Sequence, residues 1–195
     1  RITEALARSR ADYTEIRLET RRTTRIIYHG RRLETVSAVQ DEGGIVRALV
    51  HGGGWGLATF NSLDDLSVRV DQAYQSARLV QAEPIALADV PASRDEIRAT
   101  LDTDFRQVPT ADKKTLIEGY NDILLSYPNI VDTQAVYVDQ FVTVIYANSE
   151  GALIIEERPM VNTQLVATAR QDDNVQRAAD GLGVPAGYEK MLGLD

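Results

Sequence analysis

"VRALVHGGGWGLATFNSLDDL", residues 46–66, sets three consecutive glycines and the only tryptophan of the chain between two apolar runs. The stretch decides between two architectures. A phosphate loop needs glycines at set spacing, then Lys and Ser or Thr at the start of a helix, and a dinucleotide fold needs a helix that the glycines open. Here no lysine follows, residues 55–60 read as a strand, and helical spacing begins only after Asn61. The glycines therefore turn the chain between antiparallel strands, as residues tolerant of positive φ do in hairpins. Gly56 within the second strand marks a bulge or a close backbone approach, and Trp55 covers adjacent apolar surface.

Working outward, "YTEIRLETRR" alternates Ile16 and Leu18 with Glu15, Arg17 and Glu19, the period of a half-buried strand. "TTRIIYHG" turns at Gly30, and "RRLETVSAVQ" runs to a turn predicted at "DEGG". With the two runs around the glycines, this makes a meander of about five antiparallel strands, since the connections are too short for parallel crossovers. A short helix around Ile2 and Leu6 precedes it. After it, Leu63, Leu66, Val70, Ala73, Ala77 and Val80 step by three or four, an apolar helical stripe capped by Ser62 with Asp65 and closed by Pro84.

Residues 84–110 are acidic and proline-containing and predict an extended connection. A second helix follows in "TADKKTLIEGYNDILLSYP", with Leu116, Tyr120, Ile123 and Leu124 inward. A second meander then runs through "IVDTQAVYVDQ", "FVTVIYA", the turn "NSEG" and a long strand from Ala152 that Pro159 interrupts. Helices and strands are segregated rather than alternating. The fold class is α+β, a largely antiparallel sheet from two β-meanders with helices packed on one face. Residues 1–175 form this domain, and the glycine-rich 176–195 reads as a linker toward a further, carboxy-terminal domain.

The composition narrows the chemistry. The formal charge is −8, yet residues 1–60 hold ten Arg against seven Asp and Glu, net +3. Arg21, Arg22, Arg25, Arg31 and Arg32 flank two strands, a solvated face or one that draws an acidic partner. Cysteine is absent, which removes disulfides, thiolate nucleophiles and cysteine metal ligands together. No apolar run approaches the ~20 residues that cross a bilayer. His29 and His51, the two imidazoles, sit at strand ends with no partner at i+4. The acidic pairs Asp41/Glu42, Asp64/Asp65, Glu156/Glu157 and Asp172/Asp173 lie in turns, on a strand or in a first helical turn, and neighbours on a strand point to opposite faces. No catalytic, cofactor-binding or metal-binding residue is assigned in this chain.

Taken together, the segments resemble the amino-terminal domain of the TldD/PmbA family, the modulators of DNA gyrase. Arg47, Gly53, Gly54, Trp55, Gly56, Ala58, Thr59, Asn61 and Leu63 stand at places that match the family's glycine stretch. Ala147, Asn148, Ser149, Glu150 and Gly151 resemble its later hairpin, and "GYEKM" its segment before the second domain. Trp55 leans toward the TldD branch. The resemblance implies a two-domain, zinc-dependent, cytoplasmic peptidase of peptides or unfolded segments, assembled as a homodimer or as a heterodimer with a related subunit. It places the zinc on a His-Glu-x-x-x-His helix of the carboxy-terminal domain. This sequence has no such motif, so the expected role is non-catalytic, a wall of a substrate groove or a subunit surface. Two other readings stand beside it. One is a free-standing interaction module whose arginine face binds an acidic protein or nucleic acid, the latter disfavoured by the net charge; the other is a hydrolase built on His29 and His51.

Overall fold

The computed structural model describes residues 1–80 and 83–193. Their order is α1 (Ile2–Ala7), β1 (Tyr13–His29), β2 (Arg32–Leu49), β3 (Trp55–Phe60), a 3-10 turn (Leu63–Asp65), α2 (Leu66–Leu79) and β4 (Arg94–Ile97). Then come α3 (Thr110–Ser126), β5 (Ile130–Asn148), β6 (Leu153–Gln171), β7 (Asn174–Val184) and a second 3-10 turn (Tyr188–Met191). The strands form one sheet in the order β3-β2-β1-β5-β6-β4, with β7 also paired to β6. The class is the expected α+β.

Two compact units share the long strands. The first comprises residues 1–21, 41–98 and 142–157, the second residues 22–40, 99–141 and 158–195. In the first, Ile16, Leu18, Val46, Ala48, Ala58 and Phe60 meet Leu66, Val70 and Ala73 of α2 and Ala5 and Leu6 of α1. In the second, Ile26, Tyr28, Ala135, Tyr137 and Val161 gather around Ile117 of α3 with Phe105, Phe141, Tyr188 and Met191. Burial along β1 falls on Thr14, Ile16 and Leu18 and again on Thr24, Ile26 and Tyr28, the alternation of a strand covered on one face.

The strands are longer than the sequence predicts. β1 and β2 are each continuous where two strands and a "DEGG" turn were expected, so three strands replace about five. Arg21, Arg22, Gln40, Asp41 and Glu42 are exposed mid-strand, where neither core covers the chain. Polar residues there imitate a loop in sequence while the backbone ladder continues. Gly44 serves packing rather than turning, since a Cβ on it would lie 2.3 Å from the Phe60 ring and 2.4 Å from the Arg17 carbonyl. β5 is likewise one strand, and β6 passes through Pro159 unbroken.

Three further expectations are corrected. β4 lies inside the predicted connection and pairs parallel with β6, Arg94 opposite Leu153 and Ile97 opposite Glu156. Part of the predicted linker is β7, which pairs antiparallel with β6 from Asn174 opposite Gln171 to Val184 opposite Val161. On α3 the fully buried line is Lys113, Ile117 and Asn121, while Ile123 is 55% exposed. Two polar residues on the inner face hid this helix's true orientation. Lys113 is held by Asp139, and the Asn121 amide donates to the Gly30 carbonyl (2.8 Å) while accepting from Thr133 Oγ1 (2.7 Å).

Candidate functional site

The first unit joins two of the three stretches that carry the family resemblance. In the glycine stretch, Gly52 adopts φ +73°, the turn conformation that side chains disfavour. Gly56 marks a close approach, since a Cβ there would lie 2.0 Å from the Ala73 carbonyl of α2. β3 is thereby pressed on α2 and pairs with β2, Trp55 opposite Leu49. In the hairpin "NSEG", the Asn148 side-chain carbonyl accepts from the Glu150 (3.1 Å) and Ala152 (2.9 Å) amides, and Gly151 takes φ +100°. Ser149 ties this turn to β1, with its amide donating to the Thr14 carbonyl (2.8 Å) and its Oγ accepting from the Thr14 amide (3.0 Å). Both motifs are therefore structural devices that fix the ends of strands around one pocket.

That pocket, about 380 Å³, is lined by Tyr13, Glu15, Arg47, Trp55, Tyr146 and Asn148, with Glu150 and residues of the segment 87–93 at its side. Tyr13 and Glu15 share one face of β1 because they are two apart. Both phenols reach Glu15 Oε2, Tyr13 at 2.9 Å and Tyr146 at 3.1 Å, and their own oxygens are 2.9 Å apart. Asn148 Nδ2 donates to the Tyr13 hydroxyl at 3.3 Å. The other Glu15 oxygen, Oε1, accepts from Arg47 Nε and lies in ion-pair contact with Arg47 Nη2. Arg47 lies over the Trp55 ring, 5.1 Å from its centroid, and Trp55 meets Tyr13 edge to face at 5.9 Å. Burial pushes the Tyr13 hydroxyl well above its usual range, with Tyr146 and Glu15 adding to the shift, so the phenol keeps its proton.

The predicted candidates disperse. His51 Nδ1 sits 3.0 Å from Asp12 in the first unit, and its backbone amide, ahead of the imidazole, holds the Asp12 carboxyl below the usual carboxylate range. His29 pairs with Asp132 at 3.2 Å in the second unit. Each imidazole thus has its own carboxylate. Among the described residues, no three His, Cys, Asp or Glu side chains gather as a metal requires. The acidic pairs also separate: Asp41 and Glu42 lie mid-strand rather than in a turn, Asp64 binds Arg1, and Glu157 binds Arg98. Of the five arginines singled out in the sequence, Arg21 lies 3.5 Å from Glu19 and Arg32 3.6 Å from Glu34. No helix among the described residues is long and apolar enough to cross a membrane.

Sequence reasoning missed Tyr13, Glu15 and Tyr146 as a group. The i, i+2 spacing of Tyr13 and Glu15 was the available signal; the partner from β5 lay 131 residues further on.

Family models and known proteins match most of the chain. Residues 14–77 match the family model for PmbA/TldA metallopeptidase domain 1, and residues 103–194 match that for the PmbA/TldA metallopeptidase central domain. A metalloprotease from Synechocystis sp. is 35% identical over 189 residues, covering 96% of this chain and 41% of that protein. One from Methanothermobacter thermautotrophicus is 26% identical over 180 residues, covering 92% and 39%. The chain thus spans about two fifths of the length of these relatives. Among solved structures, a candidate modulator of a DNA gyrase from Thermotoga maritima superposes with a TM-score of 0.76 at 13% identity, over 91% of this chain and 40% of that one. TldE from Thermococcus kodakarensis gives 0.69 at 16%, over 89% and 40%. At such identities these two likenesses establish the fold alone.

Proposed function

Because the chain belongs to the TldD/PmbA metallopeptidase family, we propose that it is the non-catalytic, amino-terminal part of a TldD-type, zinc-dependent peptidase acting on peptides or unfolded segments. Its contribution is to hold an extended substrate or a related subunit, and hydrolysis belongs to polypeptide that carries the metal. The observation that carries this reading is the donor set. Zinc needs three or four converging His, Cys or carboxylate ligands, and the described residues offer no such group. The metal implied by the family does not fit the residues present, so no step of hydrolysis is assigned to them.

A free strand edge supports the holding role. Among the described residues β3 ends the sheet, with β2 as its single partner, so alternate N–H and C=O groups point away from the ladder. Natural edges are usually blunted by charge, proline or bulges. β4, "RDEI", is charged in three of its four residues, whereas β3, "WGLATF", has no charge and no proline. Beside it a groove of about 560 Å³ runs between Leu57–Thr59 and the Gln72, Gln75 and Ser76 face of α2. Such an edge takes an extended peptide through main-chain hydrogen bonds. Amide hydrogen exchange with an unstructured peptide tests this: the outward amides of β3 become protected, and unchanged exchange throughout β3 contradicts the groove.

A further inference from the structure

We infer that Arg47 is a preorganised carboxylate anchor, the point at which the first unit grips an acidic group of an extended peptide. The inference rests on the peptide-holding role proposed above and specifies the chemistry that the pocket recognises.

The hydrogen-bond inventory fixes the sign of the ligand. A carboxylate has about four acceptor positions. On Glu15 two phenols face Oε2, and Oε1 accepts from Arg47 Nε with Nη2 of the same guanidinium against it. An incoming ammonium would find no acceptor there. Arg47 is in the opposite condition. Its Nε–H donates to Glu15 and Nη2 lies against the same oxygen, while Nη1 has no partner among the described residues. Its side chain is 48% exposed, whereas that of Glu15 is 14% exposed. Arg47 lines the pocket with donors to spare, and a planar guanidinium presents them in the geometry that matches a carboxylate.

The surroundings hold this arginine in place. Trp55 underlies the guanidinium, and Glu15 is itself fixed by Tyr13 and Tyr146, with Asn148 behind Tyr13. Little side-chain freedom remains to be lost when a ligand binds, which is the energetic advantage of preorganisation. Glu150, at the pocket's side, opposes an anion. Arg94 stands at the same turn, its Nε donating to the Gly151 carbonyl at 3.0 Å, and offsets that charge. The carboxylate has two possible sources in a peptide, the C-terminus and an Asp or Glu side chain.

Trp55 is the only tryptophan and lies against Arg47, so its fluorescence reports the site directly. The chain is titrated with an unstructured peptide in three forms: free C-terminus without acidic residues, the same peptide C-amidated, and an amidated peptide with one internal glutamate. A carboxylate anchor binds at least one acidic form roughly tenfold or more tighter than the neutral amide. Preference for the first form identifies the C-terminus, and preference for the third identifies the side chain. Arg47→Ala removes the preference, Arg47→Lys restores only part of it, and Tyr146→Phe weakens it severalfold with circular dichroism unchanged. Equal affinity for all three forms, or a preference that survives Arg47→Ala in the folded variant, overturns the inference while leaving peptide holding intact. Absence of binding by every form overturns both.

Discussion

Glu15–Arg47 in the first unit and Lys113–Asp139 in the second are both ion pairs that meet tyrosine, and the two live in different solvents. In the second unit, Lys113 and Asp139 are 3% and 5% exposed at their side chains, with Tyr137 donating to Asp139 at 2.8 Å and Thr24 3.5 Å from the ammonium. In the first unit, Glu15 is shielded but Arg47 is half in water. The same chemistry therefore does two jobs. A charge removed from water needs its partners inside the protein, so the Lys113 pair fastens α3 to β5. The half-exposed pair has unspent donors, and those are what a ligand meets.

The largest expected effect comes from breaking the buried pair. Lys113→Met leaves Asp139 charged and unpaired in the core, which costs about 3–5 kcal/mol. Urea denaturation measures it, and adding Asp139→Leu should recover much of the loss. A double variant as unstable as the single one would show that the pair contributes more than mutual neutralisation. Glu15→Gln should cost less, about 1 kcal/mol, because solvent reaches Arg47 when its partner weakens. A loss as large as that of Lys113→Met would remove the contrast between the two units.

The comparison sharpens further with pH. Asp104 is hydrogen-bonded by the Arg106 guanidinium, which holds its carboxyl below the usual carboxylate range. A depressed folded-state pKa means that the contribution is present above the unfolded value near 3.9 and fades as pH falls through the lower folded value. Asp104→Asn should therefore lower stability near neutrality, leave it unchanged once the carboxyl is protonated, and so flatten the profile below about pH 4. The smallest effect belongs to the surface. Arg10 and Asp71 are 60% and 51% exposed, and Arg10→Ala should change stability by no more than about 0.5 kcal/mol in the same denaturation assay.

The fold was legible where burial is periodic and obscured where it lapses. Ile16, Leu18, Leu66, Val70, Ala73 and Ala77 are apolar, evenly spaced and buried, so β1 and α2 could be read directly. The middles of β1 and β2 could not, because main-chain pairing needs no apolar side chain and "ETRRT" and "QDEGG" look like loops. α3 misled for the converse reason: its inner line includes Lys113 and Asn121, whose partners Asp139 and Thr133 are remote in sequence. The site divides similarly. The glycine stretch and the "NSEG" turn were visible as motifs, while their convergence on Glu15 depends on β5 lying beside β1. Strand order is a property of the folded sheet that local periodicity does not encode.

The central claim is that these residues hold a peptide without cutting it. Incubating the purified chain with zinc and an unstructured peptide, then recording the peptide's mass spectrum, tests it most directly. The account predicts bound peptide recovered at its full mass; fragments that accumulate in proportion to this chain, and vanish when a chelator is added, would contradict it.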